Sequence, residues 1–223
     1  MKKYIIILFF VIIGVNEIYA QGCGPNCPAC SGTIDGSLLA PKTLSLQGLY
    51  MPTAEDEQGI TSLRYGLFKW LDAGVGYAFN AQKIIWNARI QPLTEKKDGW
   101  RPGIVLGTGS IRTGDSDQSF YVNFLKSREF SEKFSITASA GAASLATDID
   151  KIYGIGNVSA TFSEKYTVYV NFDGINFHEG FAWTVNNWLT TGFMMIESKY
   201  PSLTLSLTKS LFQKPRFEIE NID

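Results

Sequence analysis

The chain of 223 residues is poor in the groups that most soluble proteins use for a hydrated surface or a metal centre. It has one histidine, three cysteines confined to residues 23–30, and 18% charged residues where about 25% is ordinary. A single histidine excludes a multi-histidine metal site. The 20 Lys+Arg and 21 Asp+Glu nearly cancel, the pI is about 5.9, and no basic cluster exists, so nucleic acid is not an expected partner. Intrinsic disorder is excluded as well, because 13% of the residues are aromatic and net charge is close to zero.

What is present begins with an export pattern. Lys2 and Lys3 precede a nearly unbroken apolar run, Tyr4–Val15, and Ile18-Tyr19-Ala20 has the form of a cleavage end, so residues 1–20 are expected to be a signal peptide. The run is ~12 residues, short of the ~20 needed for a membrane helix. Removing Lys2, Lys3 and Glu17 would leave the exported chain at a net charge of −2.

Residues 21–42 follow as a Cys/Gly/Pro-rich tether with no regular structure. Cys23, Cys27 and Cys30 are spaced C-x3-C-x2-C. Haem attachment fails because Ser31, not His, follows Cys30, and the iron–sulfur chemistry that uses this spacing needs a reducing cytosol and an α/β barrel. Three readings stay open: one disulfide with a thiol left over, lipidation of Cys23, and a three-thiolate site for zinc or another soft metal. No other cofactor is expected.

From residue 43 to 212 the apolar period is two rather than 3.6. Ala73, Val75, Tyr77 and Phe79 oppose Asp72, Gly74, Gly76, Ala78 and Asn80. Phe120, Val122 and Phe124 oppose Ser119, Tyr121 and Asn123, and Leu203, Leu205 and Leu207 oppose Ser202, Thr204 and Ser206. About twelve such segments are expected, at 43–50, 60–68, 72–80, 83–91, 102–111, 118–126, 133–142, 152–162, 166–173, 178–185, 189–197 and 201–212. Tight turns ending on an aromatic after the second, sixth, eighth and tenth segments would share one end of an up-and-down barrel. The loops 52–59, 113–117 and 173–180 would share the other. The connection 94–101 is longer than this scheme asks.

Alternation alone also fits a soluble sandwich, and the polar face decides between them. It is mainly Gly, Ser, Thr and Asn with few Lys or Glu, which makes a poor solvent surface. The other face offers Leu, Val, Phe, Trp and Tyr, as a lipid-facing belt requires. The fold class expected is therefore all-β, an antiparallel up-and-down transmembrane β-barrel of about twelve strands (43–212) with a C-terminal tail (213–223). Its place is the bacterial outer membrane and its surroundings the lipid of that membrane.

The stretch Leu63–Tyr77, LRYGLFKWLDAGVGY, and the strand Trp100–Gly107, WRPGIVLG, resemble the hairpins of poorly characterised porin-like outer-membrane proteins. The resemblance implies insertion by the barrel-assembly machinery. Those barrels usually end on an aromatic residue, whereas here Phe212 is followed by Gln213–Asp223.

Three functional readings follow. The first is a narrow channel for small solutes, lined by small neutral residues such as Ser62, Gly66, Gly74, Gly76, Thr137, Ser139, Ser159, Thr161, Thr204 and Ser206. Its charged or strongly polar exceptions are Arg64, Asp72, Lys83, Arg89, Asn171 and Asp173; the bland counterpart is a barrel plugged by these same groups. The second is a hydrolase with His178 as base, Glu179 or Asp173 to orient it and Ser202 as nucleophile, although His178 reads more simply as an exposed loop residue and no G-x-S-x-G occurs. The third is a non-conducting barrel that docks a periplasmic or surface protein through the cysteine segment. The acidic triplet Glu55-Asp56-Glu57 reads as a solvated loop rather than a cation site. The channel is the reading preferred, with an enzyme disfavoured.

Overall fold

The computed structural model describes residues 38–54, 57–96, 99–110 and 117–211. The signal segment, Cys23, Cys27, Cys30, Phe212 and the C-terminal tail lie outside the described residues. The period-two pattern gives twelve strands among the described residues. They are β1 (Thr43–Tyr50), β2 (Gly59–Phe68), β3 (Leu71–Ala78), β4 (Lys83–Leu93), β5 (Gly103–Gly109) and β6 (Ser119–Ser131), then β7 (Phe134–Leu145), β8 (Asp148–Phe162), β9 (Tyr166–Phe172), β10 (Phe177–Asn186), β11 (Leu189–Ile196) and β12 (Tyr200–Ser210). Each pairs antiparallel with its neighbours in sequence, and β1 closes on β12 from Thr43↔Ser210 to Tyr50↔Leu203. The product is a closed up-and-down barrel with no free sheet edge.

Because side chains alternate along a strand, residues directly opposite one another share a face, and burial tells which face is which. Ser45, Asp72, Asn123, His178 and Ser202 are at most 1% exposed, whereas Trp86, Phe120, Val170 and Leu203 are between 47% and 65% exposed. The polar set faces inward and the apolar set outward. Aromatic side chains gather on the outside near both ends: Phe68 stacks on Trp70, and Phe134 lies between Phe130 and Phe162, at the end that carries the termini. Tyr77 meets Phe79, and Phe172 meets Phe177, at the other end. Arg128 reaches over Phe130 from the outer face.

The turns sort as their residues dictate. Ser163-Glu164 and Glu197-Ser198 each adopt positive φ at both positions, which gives these three-residue connections the twist of the flanking strands although neither contains glycine. At the terminus end the connections are short except for that between β4 and β5, which is long as its sequence indicates.

β6, β7 and β8 run to 13, 12 and 15 residues and exceed the segments expected at 118–126, 133–142 and 152–162. β7 and β8 lengthen at their shared hairpin, where pairing continues to Leu145↔Asp148, and β6 lengthens at the terminus end, where Ser127–Glu129 pair with Ser135–Thr137. In the β7–β8 hairpin Ser144 Oγ holds the turn by donating to Ile149 O at 2.9 Å.

The interior also differs from a wall of small neutral residues. At the loop end Met51, Tyr169, Ala182, Met194 and Ile196 pack together, joined by Leu49, Ile60 and Tyr200. Ala143, Leu145 and Ile155 form a second apolar patch with Tyr121 and Tyr153. Met51 belongs to the β1–β2 loop, which folds inward and is tied by its N–H to Gln58 O at 2.8 Å. Buried at its base, Glu57 accepts the backbone N–H groups of Gly59, Asn80 and Ala81, so it is not the solvated residue expected. Burial raises its pKa, but these donors win and hold it below the usual glutamate value.

Candidate functional site

The candidate site is the inner surface of the barrel, and its two ends differ. Towards the termini it is a wall of hydroxyls. Directly opposed residues there are Thr161 and Thr167, Thr184 and Thr190, Ser127 and Thr137, and Ser45 and Thr208. Their oxygens lie 3.0, 3.3, 3.0 and 3.4 Å apart. Cross-strand hydroxyl pairs of this kind are worth roughly 0.2–1 kcal/mol each and keep a polar surface without charge. Higher up, Asn157 Nδ2 donates to Asn171 Oδ1 at 3.2 Å, both buried.

The larger inward side chains are laid flat on glycines of the neighbouring strand. A Cβ at Gly107 would overlap the Tyr121 ring, one at Gly180 the Tyr169 ring, and one at Gly74 the Arg64 side chain. The glycines thus act as recesses that keep bulky groups against the wall and out of the bore.

The charged candidates are not a free set. Asp72 on β3 stands opposite Arg89 on β4, and Arg89 grips it with two hydrogen bonds, Nε to Oδ1 at 3.0 Å and Nη2 to Oδ2 at 2.6 Å. At 0% and 4% exposure this is a buried fork, with geometry that pre-organises both groups. Asp72 Oδ2 takes a third bond from the Leu39 N–H at 2.8 Å. Arg64 faces the same region from β2. Lys83 lies exposed at the loop end, 3.4 Å from Asp117.

His178, expected as an exposed loop residue, is instead the second residue of β10 and fully buried, facing inward. The β9–β10 connection is shorter than 173–180 because Asp173 Oδ1 accepts the N–H groups of Ile175 and Asn176 and closes the turn. Asp173 Oδ2 lies 3.0 Å from His178 Nε2, while His178 Nδ1 accepts the Glu197 N–H at 3.0 Å. Nδ1 is an acceptor, so Nε2 carries the proton and donates it to Asp173. Both ring nitrogens are occupied in bracing two loops, and Ser202 Oγ donates to Tyr200 O rather than to His178. The geometry assembles no catalytic triad from these residues. Glu179 accepts from Ser198 Oγ at 2.9 Å. Burial pushes the Asp173 pKa up, but the His178 hydrogen bond and the two backbone donors outweigh it and leave it below the usual 3.8.

No protein-family model and no curated protein matches the sequence. Among solved structures, the chain is similar to the KdgM porin at a TM-score of 0.52 and 10% identity, over 76% of this chain and 99% of that one. A second match is the KdgM porin in complex with disordered oligogalacturonate, at 0.53, 10% identity, and the same two coverages. The likeness is one of fold: the chain has the closed twelve-stranded architecture of porin-like outer-membrane barrels.

Two outcomes follow. Asp72→Ala would strand the Arg89 guanidinium and should cost about 3–5 kcal/mol, whereas Asp72→Leu with Arg89→Met should cost much less. Urea unfolding followed by gel mobility of the folded form checks both. For Asp173 a lowered folded pKa means that its stabilisation is present above 3.8 and lost as pH falls through the folded value. Asp173→Asn should therefore destabilise by about 1–3 kcal/mol at neutral pH, with the gap to wild type closing in unfolding titrations run below pH 3.8.

Proposed function

We propose that this protein is an outer-membrane channel for small, uncharged, hydroxyl-bearing solutes. The observation that carries the reading is the division of the closed wall into an apolar exterior flanked by aromatics and an interior of paired Ser and Thr hydroxyls. The exterior is incompatible with water on its outside. The interior is unlike an apolar core, since most of its inward positions are Ser, Thr and Asn, and Asn123, Ser139 and Ser206 carry buried polar atoms with no protein partner.

Charge argues for neutral cargo. Among the described residues paired in the ladder, the inward cations are Arg64, Lys83 and Arg89, and Arg89 is engaged by Asp72. That is far from a continuous basic track for an acidic oligosaccharide such as the oligogalacturonate bound to the KdgM porin. The apolar packing of Met51, Tyr169, Met194 and Ile196 at the loop end favours a narrow bore rather than a wide one.

Protein refolded into planar bilayers should give small current steps with weak preference between cations and anions. Gly107→Val, which evicts the Tyr121 ring from its recess into the bore, should reduce the step without unfolding the barrel. Vesicles carrying the protein should swell in small uncharged sugars faster than in their acidic counterparts. No current from protein shown to be folded by its heat-modifiable mobility would overturn the reading.

A further inference from the structure

Residues 38–42 reach β1 from inside the barrel. Ala40, Pro41 and Lys42 are exposed at the terminus-end mouth, whereas Leu39, one residue earlier, is 3% exposed. Its N–H is held by the Asp72 carboxylate that Arg89 grips. The carbonyls of Leu39 and Ala40 lie on the inner side of Gly66, at a spot that a Cβ on Gly66 would fill. Lys42 N–H donates to Gly66 O at 2.7 Å, Leu211 N–H donates to Lys42 O at 2.8 Å, and Lys42 sits at φ 63. A lysine adopts that left-handed conformation only where its surroundings impose it. Four independent features therefore converge on one short segment: a glycine with room for its carbonyls, a buried carboxylate for its amide, and two backbone bonds that fix its turn over the rim.

We propose that Leu38–Lys42 is a strap that closes the terminus-end mouth, with the Asp72–Arg89 pair as its clasp, so that the path through the barrel widens when the clasp lets go. The closing role rests on the channel reading; the docking of the strap does not. The clasp suits a releasable contact. The carboxylate keeps both of its arginine bonds when Leu39 leaves, so opening exposes no unpaired charge.

The test separates the two claims. In the mature chain with Cys23, Cys27 and Cys30 changed to serine, Leu39→Cys serves as a reporter for a membrane-impermeant maleimide, with and without Asp72→Asn. Currents are recorded from the unlabelled mature chain, from Asp72→Asn and from a chain lacking residues 21–40, each shown to be folded by heat-modifiable mobility. Labelling of Leu39→Cys should be slow and should speed up by about ten-fold with Asp72→Asn, which gives the Leu39 N–H a neutral acceptor in place of a charged one and weakens the Arg89 fork that holds that acceptor. Both opened variants should carry several times the current of the mature chain.

Equal labelling rates with and without Asp72→Asn overturn the clasp. The shortened chain keeps Asp72 and Arg89 intact, so an unchanged, non-zero current from its folded form overturns the closing role even where Asp72→Asn does not fold. If labelling responds but no folded form passes current, the channel reading fails and the closing role falls with it.

Discussion

A wall whose outer face is apolar cannot leave backbone polar groups to water, so each N–H and C=O has to be paired within the wall. The β1–β12 pairing, eight residues from each strand, meets that demand here. Once the sheet is closed, each strand has two neighbours and two unlike environments, and the period-two sequence is the direct consequence. Leu203, Leu205 and Leu207 face out, while Ser202, Thr204 and Ser206 face in, from one unbroken strand. A slip of one residue would put the leucines inside and the hydroxyls outside, which is why register is fixed so firmly.

The interior then has to be polar without becoming unstable. Charge is expensive there, and the wall uses it sparingly: Asp72 and Arg89 neutralise one another at short range, and Asp173 is absorbed by His178 and a tight turn. Most of the remaining polarity is neutral, in hydroxyl pairs and amides. Size is handled by glycine, which accommodates Tyr121, Tyr169 and Arg64 against the wall. The same device at Gly66 makes room for the Leu39 and Ala40 carbonyls. Interior glycines therefore shape the bore as much as the side chains facing them do.

The fold class was readable because it depends on a pattern repeated twelve times, and repetition makes single deviations harmless. Residues 72–80 and 166–173 show the two faces almost without exception. The interior arrangement was less readable for a physical reason: it depends on pairings across strands, which a linear pattern does not encode. Asp72 and Arg89 could be assigned to the same face from alternation, but their fork and its hold on Leu39 need the β3–β4 register. His178 looked exposed because its neighbours Asn176 and Glu179 are polar, and burial came from a turn that Asp173 closes by residue 176, four residues before the expected loop end at 180. Met51 was hidden because its loop folds inward, and the long β7–β8 hairpin because its pairing continues to Leu145↔Asp148. Glycines such as Gly107 carried a signal in their spacing, yet their partners lie on the adjacent strand.

One face of each strand is assigned to hydrocarbon and the other to the barrel interior. Single labels along β12, from Tyr200 to Ser210, examined in lipid vesicles with lipid-soluble and water-soluble quenchers, test it most directly. Strict alternation is expected, with positions 203, 205 and 207 quenched from the lipid and positions 202, 204, 206 and 208 from water. Quenching that does not alternate, or that alternates in the opposite phase, would contradict it.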